Sequence, residues 1–420
     1  MKIIKVKSQK APPVFSAGET SPNRMDWAGN CKLSQRDPFG TKLKILVLIC
    51  VVLCVCAQAP AVAQLNTFRH SGWVESLDFS PDSKYIISAS NDRIAKVWRV
   101  SDGQRVGNIT GHIGPVYSAV YSPNGSLMAT GGYDKTIKIW SADSGQCLKN
   151  IKAHTAWVQA LKFSRDGKML VSGSGDKTVK VRRASDGENV KSFHGHQASV
   201  YSVDFSPDGK LVISSGADRT IKVWKISDGS CAATLQGHTG NVYSAQFSPD
   251  GKTIVSGSGD KTIRIWRASD GLCLKTLPGH TGSVYCVSCS PDGKYIISAS
   301  ADKTARIWRT DTGECVKTVQ GQAGKVYAAC FSPDGKYLAT GGEDEIVRVW
   351  NTPWAEEERE ALFQKYYNSG LRYLSSAGSN RDNYLKAIEE FRRALNYKDS
   401  SEVRQKISRA QEEYKRSFRR

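Results

Sequence analysis

A repeat of 42 residues runs through the middle of the chain and constrains its fold more than any other feature. Tryptophan occupies six of the seven positions on this spacing, and arginine occupies the remaining one. The positions are Trp98, Trp140, Arg182, Trp224, Trp266, Trp308 and Trp350. The chain therefore contains seven repeats without an insertion or a deletion between them. Such a period predicts supersecondary units that stack against their neighbours.

Three further residue types follow the same period. In six repeats a histidine lies 28 residues before the tryptophan position, and every repeat has a serine or threonine ten residues before it and an aspartate six residues before it. The histidine positions are His70, His112, His154, His196, His238, His280 and, in the seventh repeat, Gln322. Four positions in phase over seven copies indicate that each repeat has the same internal structure.

Within one repeat, short apolar and β-branched runs alternate with turn signals. Residues 200–229 read VYSVDFSPDGKLVISSGADRTIKVWKISDG, with turns at SPDG, SGAD and SDG. The proline of SPDG presets the first corner of a turn and the glycine accepts a positive φ, so the first two strands join as a hairpin. A repeat of this length accommodates four strands of about five or six residues. Each repeat is therefore expected to be one small antiparallel sheet, which must stack on its neighbours to bury both faces.

These residues closely resemble the WD-repeat β-propeller family, in which a His, a Ser or Thr, an Asp and a Trp of each blade form a hydrogen-bonded tetrad. The resemblance covers about residues 64–352. It implies an all-β, seven-bladed β-propeller of four-stranded antiparallel blades. Carried over by position, one structural tetrad consists of His196, Ser214, Asp218 and Trp224 in the fourth blade. The other repeats that keep all four residue types are expected to form it too.

Two repeats depart from the tetrad pattern. Arg182 replaces the tryptophan in the third blade, and Gln322 replaces the histidine in the seventh. We expect these two blades to be the less rigid. Members of the family close the ring by letting the N-terminal segment supply the outer strand of the last blade. Residues 64–68 fall on that strand position, and the last repeat stops at Trp350 without a fourth strand of its own, so the same closure is expected.

The repeated His, Asp and hydroxyl residues could be mistaken for catalytic triads or metal ligands. A catalytic site breaks the symmetry of a repeat, whereas these residues follow it, so a network that satisfies buried polar atoms is the simpler interpretation. No Gly-rich phosphate loop, HExxH or nucleophile elbow occurs outside the repeats. The sequence therefore predicts no catalytic residue, no metal site and no cofactor, in a protein that is not an enzyme.

The cysteines permit a similar choice between chemistry and packing. Cys286 and Cys289 form a CxxC pair, but they fall in a predicted strand, where residues three apart point to opposite faces. We expect both in the core rather than on a metal ion. Four further cysteines share one position of the repeat and are expected to pack as small apolar groups. They are Cys147, Cys231, Cys273 and Cys315.

Function is expected where the repeats differ, because loop positions vary on a fixed scaffold. We call the residues that recur every 42 positions ladder residues, and the recurring aspartate the turn aspartate. In similar propellers, positions shortly after the ladder histidine and beside the turn aspartate surround the top of the central channel, where partners dock. Aromatic side chains suit recognition because they bury much area at low entropic cost. The candidate partner-binding residues are Trp73, Glu75, Tyr117, Tyr133, Trp157, Tyr201, Tyr243, Tyr285 and Tyr327. The alternative is that the repeated tyrosines only fill the start of a strand and reflect repeat duplication.

The net positive charge of the chain adds acidic molecules to the expected partners. The formal net charge is +19, and a Lys or Arg follows the turn aspartate in six repeats, which attracts acidic partners. The leading hypothesis is a non-enzymatic scaffold that binds other proteins or peptides, an acidic partner among them. The alternatives are binding of an anionic polymer such as nucleic acid, although no specific nucleic acid is inferred, and a propeller enzyme with an unrecognised site.

Residues 1–63 form a basic segment that ends in a targeting signal. Lys42 and Lys44 precede an uncharged apolar run of 13 residues at 45–57, and the small residues Ala61 and Ala63 follow. This pattern predicts a signal peptide cleaved before Gln64, and hence a secreted or periplasmic protein. The alternative is an uncleaved membrane anchor through residues 45–63, because no charge interrupts that stretch.

Residues 353–420 form a helical appendage of a different composition. Apolar residues at steps of three and four predict two or three helices, with one stripe through Ile388 and Phe391 and another through Val403, Ile407 and, at the end, Phe418. The segment resembles a tetratricopeptide helical hairpin followed by one more helix. The residues that carry this resemblance are Gly370, Tyr373, Ala387, Phe391 and Ala394. A lone unit is too small for a superhelical groove, so a docking or dimerisation element is expected.

Overall fold

The computed structural model describes residues 64–378 and 380–417, apart from the side chains of residues 356–358. Within this range the chain forms 28 strands followed by three helices. The predicted targeting signal in residues 1–63 and the predicted packing of Phe418 lie outside the described residues.

The strands form seven antiparallel sheets of four strands each, so the predicted seven-bladed propeller is confirmed. Blades 1 to 7 are numbered by their inner strands, which surround the central channel. The inner strands are β2 (Val74–Phe79), β6 (Val116–Tyr121), β10 (Val158–Phe163), β14 (Val200–Phe205), β18 (Val242–Phe247), β22 (Val284–Cys289) and β26 (Val326–Phe331). The second strands are β3 (Tyr85–Ser90), β7 (Leu127–Gly132), β11 (Met169–Ser174), β15 (Leu211–Gly216), β19 (Thr253–Ser258), β23 (Tyr295–Ser300) and β27 (Tyr337–Gly342).

The two outer positions of the blades are occupied in the same regular way. The third strands are β4 (Ala95–Arg99), β8 (Thr136–Ser141), β12 (Val179–Arg183), β16 (Ile221–Lys225), β20 (Ile263–Arg267), β24 (Ala305–Arg309) and β28 (Ile346–Asn351). The outermost strands are β5 (Arg105–Ile109), β9 (Cys147–Lys152), β13 (Asn189–Phe193), β17 (Cys231–Leu235), β21 (Cys273–Leu277), β25 (Cys315–Val319) and β1 (Gln64–Arg69).

The hairpin between the first two strands of a blade forms as the SPDG signal predicts. In blade 4, Ser206 Oγ lies 2.6 Å from Asp208 Oδ1, and the amide of Gly209 donates to the carbonyl of Ser206 at 2.9 Å. Gly209 has φ +70°, a conformation that glycine adopts without steric cost. Side-chain and backbone bonds therefore fix this turn together, and the same turn recurs at the lower end of the other blades.

The ring closes through β1, which pairs with β28 of blade 7. The pairing is antiparallel and runs from Gln64 opposite Trp350 to Arg69 opposite Ile346. Blade 7 therefore combines three strands from the end of the repeats with one from their beginning. This closure is the one that the sequence predicts, and it leaves no blade without a fourth strand.

The apolar core lies between adjacent blades. Between blades 3 and 4, Val181 and Phe193 of one sheet pack against Val200 and Phe205 of the next, together with Trp224. Burial of one such side chain stabilises the fold by about 1.5–3 kcal/mol relative to leaving it exposed. Equivalent clusters lie at the other blade interfaces, so each sheet buries both faces only because it has two neighbours.

The prediction for the cysteines of the outermost strands is wrong. Cys147, Cys231 and Cys315 are exposed and Cys273 is only partly buried, whereas all four were expected to pack as small apolar groups. The outermost strand of a blade has no further sheet on its outer side, so only some of its residues reach the core. Their shared repeat position indicates equivalence, and that position lies on the solvent side.

The C-terminal segment forms three helices, as predicted: α1 (Pro353–Ser375), α2 (Arg381–Leu395) and α3 (Ser401–Arg416). Trp354 in the first turn of α1 stacks on Tyr295 of the propeller, with ring centroids 4.2 Å apart, and donates from Nε1 to the carbonyl of Gly335 at 3.0 Å. Phe391 is fully buried among the helices, and a side chain at Gly370 would collide with its ring. None of the described helices contains an apolar stretch long enough to cross a membrane.

Candidate functional site

Blade 4 contains the hydrogen-bond network that the tetrad residues were expected to form. His196 Nδ1 lies 2.7 Å from Asp218 Oδ2, and His196 Nε2 lies 2.7 Å from Ser214 Oγ. Trp224 Nε1 donates to the same Ser214 Oγ at 2.7 Å. With the histidine protonated on Nδ1, the indole donates to the serine, the serine to the histidine and the histidine to the aspartate. All polar atoms of the network are then satisfied with a neutral imidazole.

Blades 1, 2, 5 and 6 contain the same complete network. In each, the tryptophan Nε1 donates to the ladder hydroxyl at 2.8 Å, and the histidine lies within hydrogen-bond distance of both the hydroxyl and the aspartate. The ladder hydroxyls of all seven blades have no exposed surface. A nucleophile must reach its substrate, so these buried hydroxyls act in structure and not as catalytic groups.

Blade 7 rebuilds the network with a different set of residues. Gln322 Nε2 donates to Thr340 Oγ1 at 2.7 Å, and Arg348 donates to Gln322 Oε1 at 2.6 Å and to Asp344 Oδ2 at 2.7 Å. The arginine therefore links the glutamine to the aspartate that a histidine would contact directly. Trp350 keeps its bond to Thr340 at 3.0 Å.

Blade 3 lacks the tryptophan bond and has a buried cation instead. Arg182 donates to the carbonyls of Gly187 at 3.2 Å and Ala153 at 3.0 Å. Its Nε is buried without a hydrogen-bond partner among the described residues, and burial lowers the pKa of the guanidinium. The lower rigidity predicted for blades 3 and 7 stays a prediction, but their chemistry differs: blade 7 replaces the missing bonds and blade 3 does not.

A central channel of about 430 Å³ lies inside the ring, and all seven inner strands contribute to its wall. Each inner strand contains a β-bulge directly after its first valine. In blade 4, Val200 pairs with Gly216 and Ser202 with Ser215, so Tyr201 has no partner of its own. The equivalent bulge residue of every blade lies at the upper end of the channel, and we call these seven residues the mouth ring. The mouth ring is Glu75, Tyr117, Gln159, Tyr201, Tyr243, Tyr285 and Tyr327.

Four tyrosines of the mouth ring contact one another in an arc along blades 4 to 7. The ring centroids of Tyr201 and Tyr243 are 5.2 Å apart, those of Tyr243 and Tyr285 5.1 Å, and those of Tyr285 and Tyr327 5.2 Å. Trp73 extends the arc, with its centroid 5.9 Å from that of Tyr327. Such spacings are those of edge and tilted aromatic contacts, which hold the rings in place before any partner arrives.

Glu75 is the acidic member of the mouth ring. Burial in the channel mouth raises its pKa to about 7, although a hydrogen bond with the Asn91 side chain favours the carboxylate. The same carboxylate acts on its neighbours: burial and then Glu75 raise the pKa of Tyr117. Burial, Glu343 and Glu75 together raise the pKa of Tyr327 to about 12. The mouth therefore combines aromatic rings with negative charge.

Further down the channel, three charged residues share one repeat position. Asp204 accepts a hydrogen bond from the amide of Phe247 in the next blade at 2.9 Å, and burial raises its pKa to about 6. Asp78 bonds the amide of Tyr121 in the same way at 2.9 Å, and burial raises its pKa as well. Burial disfavours the charged form of Lys162, but the attraction of the two aspartates raises its pKa overall. Asp78 thus joins blade 1 to blade 2, and Asp204 joins blade 4 to blade 5. Both carboxylates attract the ammonium group of Lys162 in blade 3.

The loops that enter the blades and the turns after the second strands form the top face around this mouth. The amide of Asn91 donates to the carbonyl of Trp73, and that of Tyr133 to the carbonyl of Pro115, so loop and turn of each blade lie side by side. Blades 1 to 3 expose large apolar side chains here: Trp73 at 44%, Tyr133 at 57% and Trp157 at 36%. Ile113, which the sequence reasoning missed, is 84% exposed. Its signal is a branched apolar residue directly after the ladder histidine, where most other repeats have a polar one.

A set of cations surrounds the same face at a larger radius. They directly follow the turn aspartates, are exposed, and have φ between +65° and +72°. We call them the basic rim: Arg93, Lys135, Lys177, Arg219, Lys261 and Lys303. In blade 7 the equivalent position is Glu345, so the rim is open there.

The CxxC pair lies on two sides of its strand. Cys286, whose Sγ lies 3.4 Å from the carbonyl of Ala329, packs against the core between blades 6 and 7, whereas Cys289 packs against the core between blades 5 and 6. Both also line the channel. Burial raises the pKa of both thiols, that of Cys289 to about 12. No group of metal-ligating side chains occurs within the part of the chain that the structure describes.

Comparison with known proteins agrees with this architecture. A family model described as "WD domain, G-beta repeat" matches seven consecutive segments that together make up more than half of the chain. The matched segments are residues 63–99, 103–141, 145–182, 187–225, 229–267, 271–309 and 313–351. No curated protein matches the chain.

Proposed function

Because the chain belongs to the WD40 repeat family, whose propellers generally bind other proteins, we propose that it is a non-enzymatic scaffold that holds protein partners on the top face. The observation that carries the proposal is the concentration of exposed and half-buried aromatic side chains at one end of the channel. Trp73, Tyr133 and Trp157 surround a mouth ring that contains five tyrosines. Tyr and Trp are the residues that contribute most binding energy per side chain in protein interfaces.

The rigidity of this surface supports the same function. A side chain at Gly175 would collide with the ring of Trp157, and one at Gly114 would press tightly against Tyr133, so both aromatic residues are closely packed. The tyrosine arc is held by ring contacts within the mouth. A surface whose aromatic groups are already in place loses less entropy when a partner binds.

Affinity capture with matched variants tests the proposal. The full-length chain is used as bait, and its partners are compared with those of Trp157→Ala, Tyr201→Ala and the control Leu148→Ala. Leu148 lies on the outermost strand β9 and is 46% exposed, so it controls for loss of an exposed apolar group elsewhere. We expect both top-face variants to weaken retention of the same partner roughly tenfold or more, and the control to retain it fully. Partners that all three variants retain equally would contradict the proposal.

We further propose that the protein is exported or membrane-targeted through residues 45–63. The basic residues before the apolar run and the Ala-Val-Ala end at 61–63 support cleavage before Gln64, which is the first residue of the closing strand β1. N-terminal sequencing of protein recovered from cells distinguishes the alternatives. A start at Gln64 supports secretion or a periplasmic location, and an intact chain in the membrane fraction supports an anchor. A full-length chain in the soluble cytosolic fraction would contradict both.

Binding of an anionic polymer is the second candidate, because the basic rim surrounds the top face. Contacts to phosphates release counterions, so the affinity for a nucleic acid would fall steeply between about 50 and 200 mM salt. A fluorescent single-stranded DNA of 20 nucleotides provides the probe. We expect no binding at physiological salt, and binding that the top-face variants weaken would favour the polymer over a protein partner.

A further inference from the structure

The top face has two electrostatic zones, and we propose that they recognise a partner segment in which one lysine or arginine is flanked by acidic residues. The cationic side chain enters the mouth ring beside Glu75, and the acidic flanks contact the basic rim. This inference rests on the proposed function, which it makes specific by naming the chemistry of the bound segment.

The inner zone suits a cation because aromatic faces and a carboxylate meet there. Four tyrosines and Trp73 form a continuous arc, and Glu75 is the acidic residue among the seven of the mouth ring. An ammonium or guanidinium group is attracted by the faces of aromatic rings, most strongly where water is excluded. A carboxylate in the same site adds a charge-assisted hydrogen bond.

Two further features of the mouth favour a donor group. Asn91 Oδ1 is buried without a hydrogen-bond partner among the described residues, and the Asn91 side chain lies close enough to Glu75 to favour its carboxylate form. A buried acceptor without a donor is costly, so a group that brings N–H donors gains more here than an apolar one. Below the mouth, Asp78 and Asp204 already share their attraction with Lys162, so Glu75 is the carboxylate that remains for a bound cation at the upper end of the channel.

The outer zone suits acidic residues because its cations are free of direct carboxylate partners. None of the six rim residues forms an ion pair with a residue that the structure describes. At the opposite end of the same blades, by contrast, lysines pair with the aspartates of their own hairpins, as Lys252 does with Asp250 at 3.8 Å and Lys294 with Asp292 at 3.7 Å. The positive charge of the top face therefore remains available to a partner.

Backbone preference does not account for the rim. Each rim residue has a left-handed φ near +70°, a conformation that glycine and asparagine adopt most easily. Lysine or arginine nevertheless occupies six of the seven positions. Charge is the property that these residues add and that glycine or asparagine would not.

A protein segment fits both zones, and a nucleic acid fits one of them. Phosphates are attracted to the rim, but they are repelled by Glu75 in the mouth. A nucleic acid also has no ammonium or guanidinium group for the mouth. A peptide with a central lysine or arginine and acidic neighbours complements the mouth and the rim together.

Selection from a phage-displayed library of random 12-residue peptides tests the inference on the folded full-length chain in mild detergent. At pH 8 Glu75 is ionised, since its pKa is about 7. We expect enriched peptides to share one Lys or Arg with Asp or Glu within a few residues of it. Synthetic peptides with the enriched motif, and with glutamine in place of the central cation, are then titrated against the chain and its variants by fluorescence anisotropy.

Two sets of variants separate the zones. Glu75→Gln should lower the affinity for the cationic peptide about tenfold or more and leave the affinity for the glutamine peptide unchanged. A double-mutant cycle measures this coupling. The rim variant Arg219→Asn/Lys261→Asn/Lys303→Asn suits the left-handed backbone and should weaken acidic peptides, chiefly at low salt. The control Lys210→Asn/Lys252→Asn/Lys294→Asn makes the same charge change at the hairpins of the same three blades and should have no effect.

The outcomes distinguish this inference from the proposed function. Two results would overturn the inference and leave the top face as the binding surface. In the first, Trp157→Ala weakens the binding of the enriched peptides, but these peptides lack a central cation. In the second, the peptides bind Glu75→Gln as tightly as the parent chain. Enriched peptides that neither Trp157→Ala nor Tyr201→Ala weakens, or the recovery of none, would count against both. Equal effects of the rim variant and its control would overturn the role of the rim.

Discussion

At the scale of single residues, one hydroxyl joins the tryptophan to the histidine in each of the five blades with a complete tetrad. In blade 5, Ser256 Oγ accepts from Trp266 Nε1 at 2.8 Å and lies 2.8 Å from His238 Nε2. The indole also packs in the core against Val242 and Phe247 of the same blade. The tetrad tryptophan therefore stabilises its blade both by burial and by a hydrogen bond.

Replacement of a tetrad tryptophan should cost much more than replacement of the arginine on the same ladder. Trp266→Ala loses a buried indole and its hydrogen bond, and we expect a loss of about 3–5 kcal/mol in the free energy of unfolding. Arg182→Ala loses two backbone hydrogen bonds but also removes a buried cation whose Nε has no described partner, so its cost should be well below that of Trp266→Ala. Urea denaturation followed by tryptophan fluorescence measures both. Equal midpoints would show that the tryptophan ladder does not stabilise the blades as described.

The tetrads also make stability depend on pH. Burial lowers the pKa of His70, His112, His154, His238 and His280, despite the neighbouring aspartates. A buried histidine with a lowered pKa binds fewer protons when folded than when unfolded, so its contribution is present above pH 6.5 and is lost as the pH falls below that value. Glu75 and Asp204, whose pKa values are raised by burial, contribute in the opposite direction over the same range. We therefore expect the histidine contribution as a difference: from pH 7.5 to pH 4.5 the midpoint of urea unfolding should change less favourably for the parent chain than for a variant that lacks one of these histidines.

A single substitution provides the control for this pH dependence. Blade 6 has Arg306 at the position where Arg348 links the glutamine and the aspartate of blade 7. His280→Gln should therefore give blade 6 the network of blade 7 and remove one titrating group. The variant should fold and lose stability less steeply below pH 6.5 than the parent chain. An equally steep loss would show that the histidines are not the cause.

At this scale the sequence predicts which residues form the tetrads. It does not predict how another residue compensates when a tetrad residue is replaced. The ladder spacing places His196, Ser214, Asp218 and Trp224 in one network, and the structure places them so. The role of Arg348 has no such signal, because every repeat has a lysine or arginine at its position. Only the contact with Gln322 distinguishes it, and that contact depends on the three-dimensional arrangement.

At the scale of elements, the inner strands carry the feature that matters most for function. Each has a bulge at its second residue, and this extra residue is the one that lines the channel mouth. Bulges re-aim side chains, which is why they are common beside binding sites. The repeat predicts the strands but not the bulges, because an extra residue in the same place of every repeat leaves the period unchanged.

In blade 3 the missing tryptophan of the tetrad can be restored by substitution. In the complete blades 2, 4, 5 and 6, a glycine lies 29 residues before the tryptophan and close to the outer edge of its indole ring, as Gly195 does to Trp224. Blade 3 has Ala153 at that position. We expect Ala153→Gly/Arg182→Trp to supply the missing bond to Ser172 and to raise the free energy of unfolding by about 1–2 kcal/mol.

The same denaturation experiment measures the repair. Arg182→Trp alone provides the comparison, and it should gain less, because the methyl group of Ala153 narrows the space for the indole. A double variant that is no more stable than Arg182→Ala would contradict this account of blade 3.

At the scale of the whole propeller, an almost symmetric ring supports an asymmetric top face. The tetrads, hairpins and inter-blade cores repeat around the ring, whereas Trp73, Ile113, Tyr133 and Trp157 are confined to blades 1 to 3. The symmetry follows directly from the repeat and could be predicted from it. The exposed surface could be predicted only in part, because exposure depends on how each loop packs against its neighbouring turn, as the missed Ile113 illustrates.

Footprinting of the chain in complex with a captured partner tests most directly whether the top face is the binding surface. Hydroxyl-radical labelling followed by mass spectrometry compares the modification rates of Trp73, Tyr133 and Trp157 in the free and bound chain. Leu148 and Leu274 on the outermost strands are exposed to a similar extent and serve as internal references. We expect the three aromatic residues to be protected several-fold and the two leucines to be unchanged. Protection of the leucines with no change at Trp73, Tyr133 and Trp157 would place the partner on the outer strands and contradict the account.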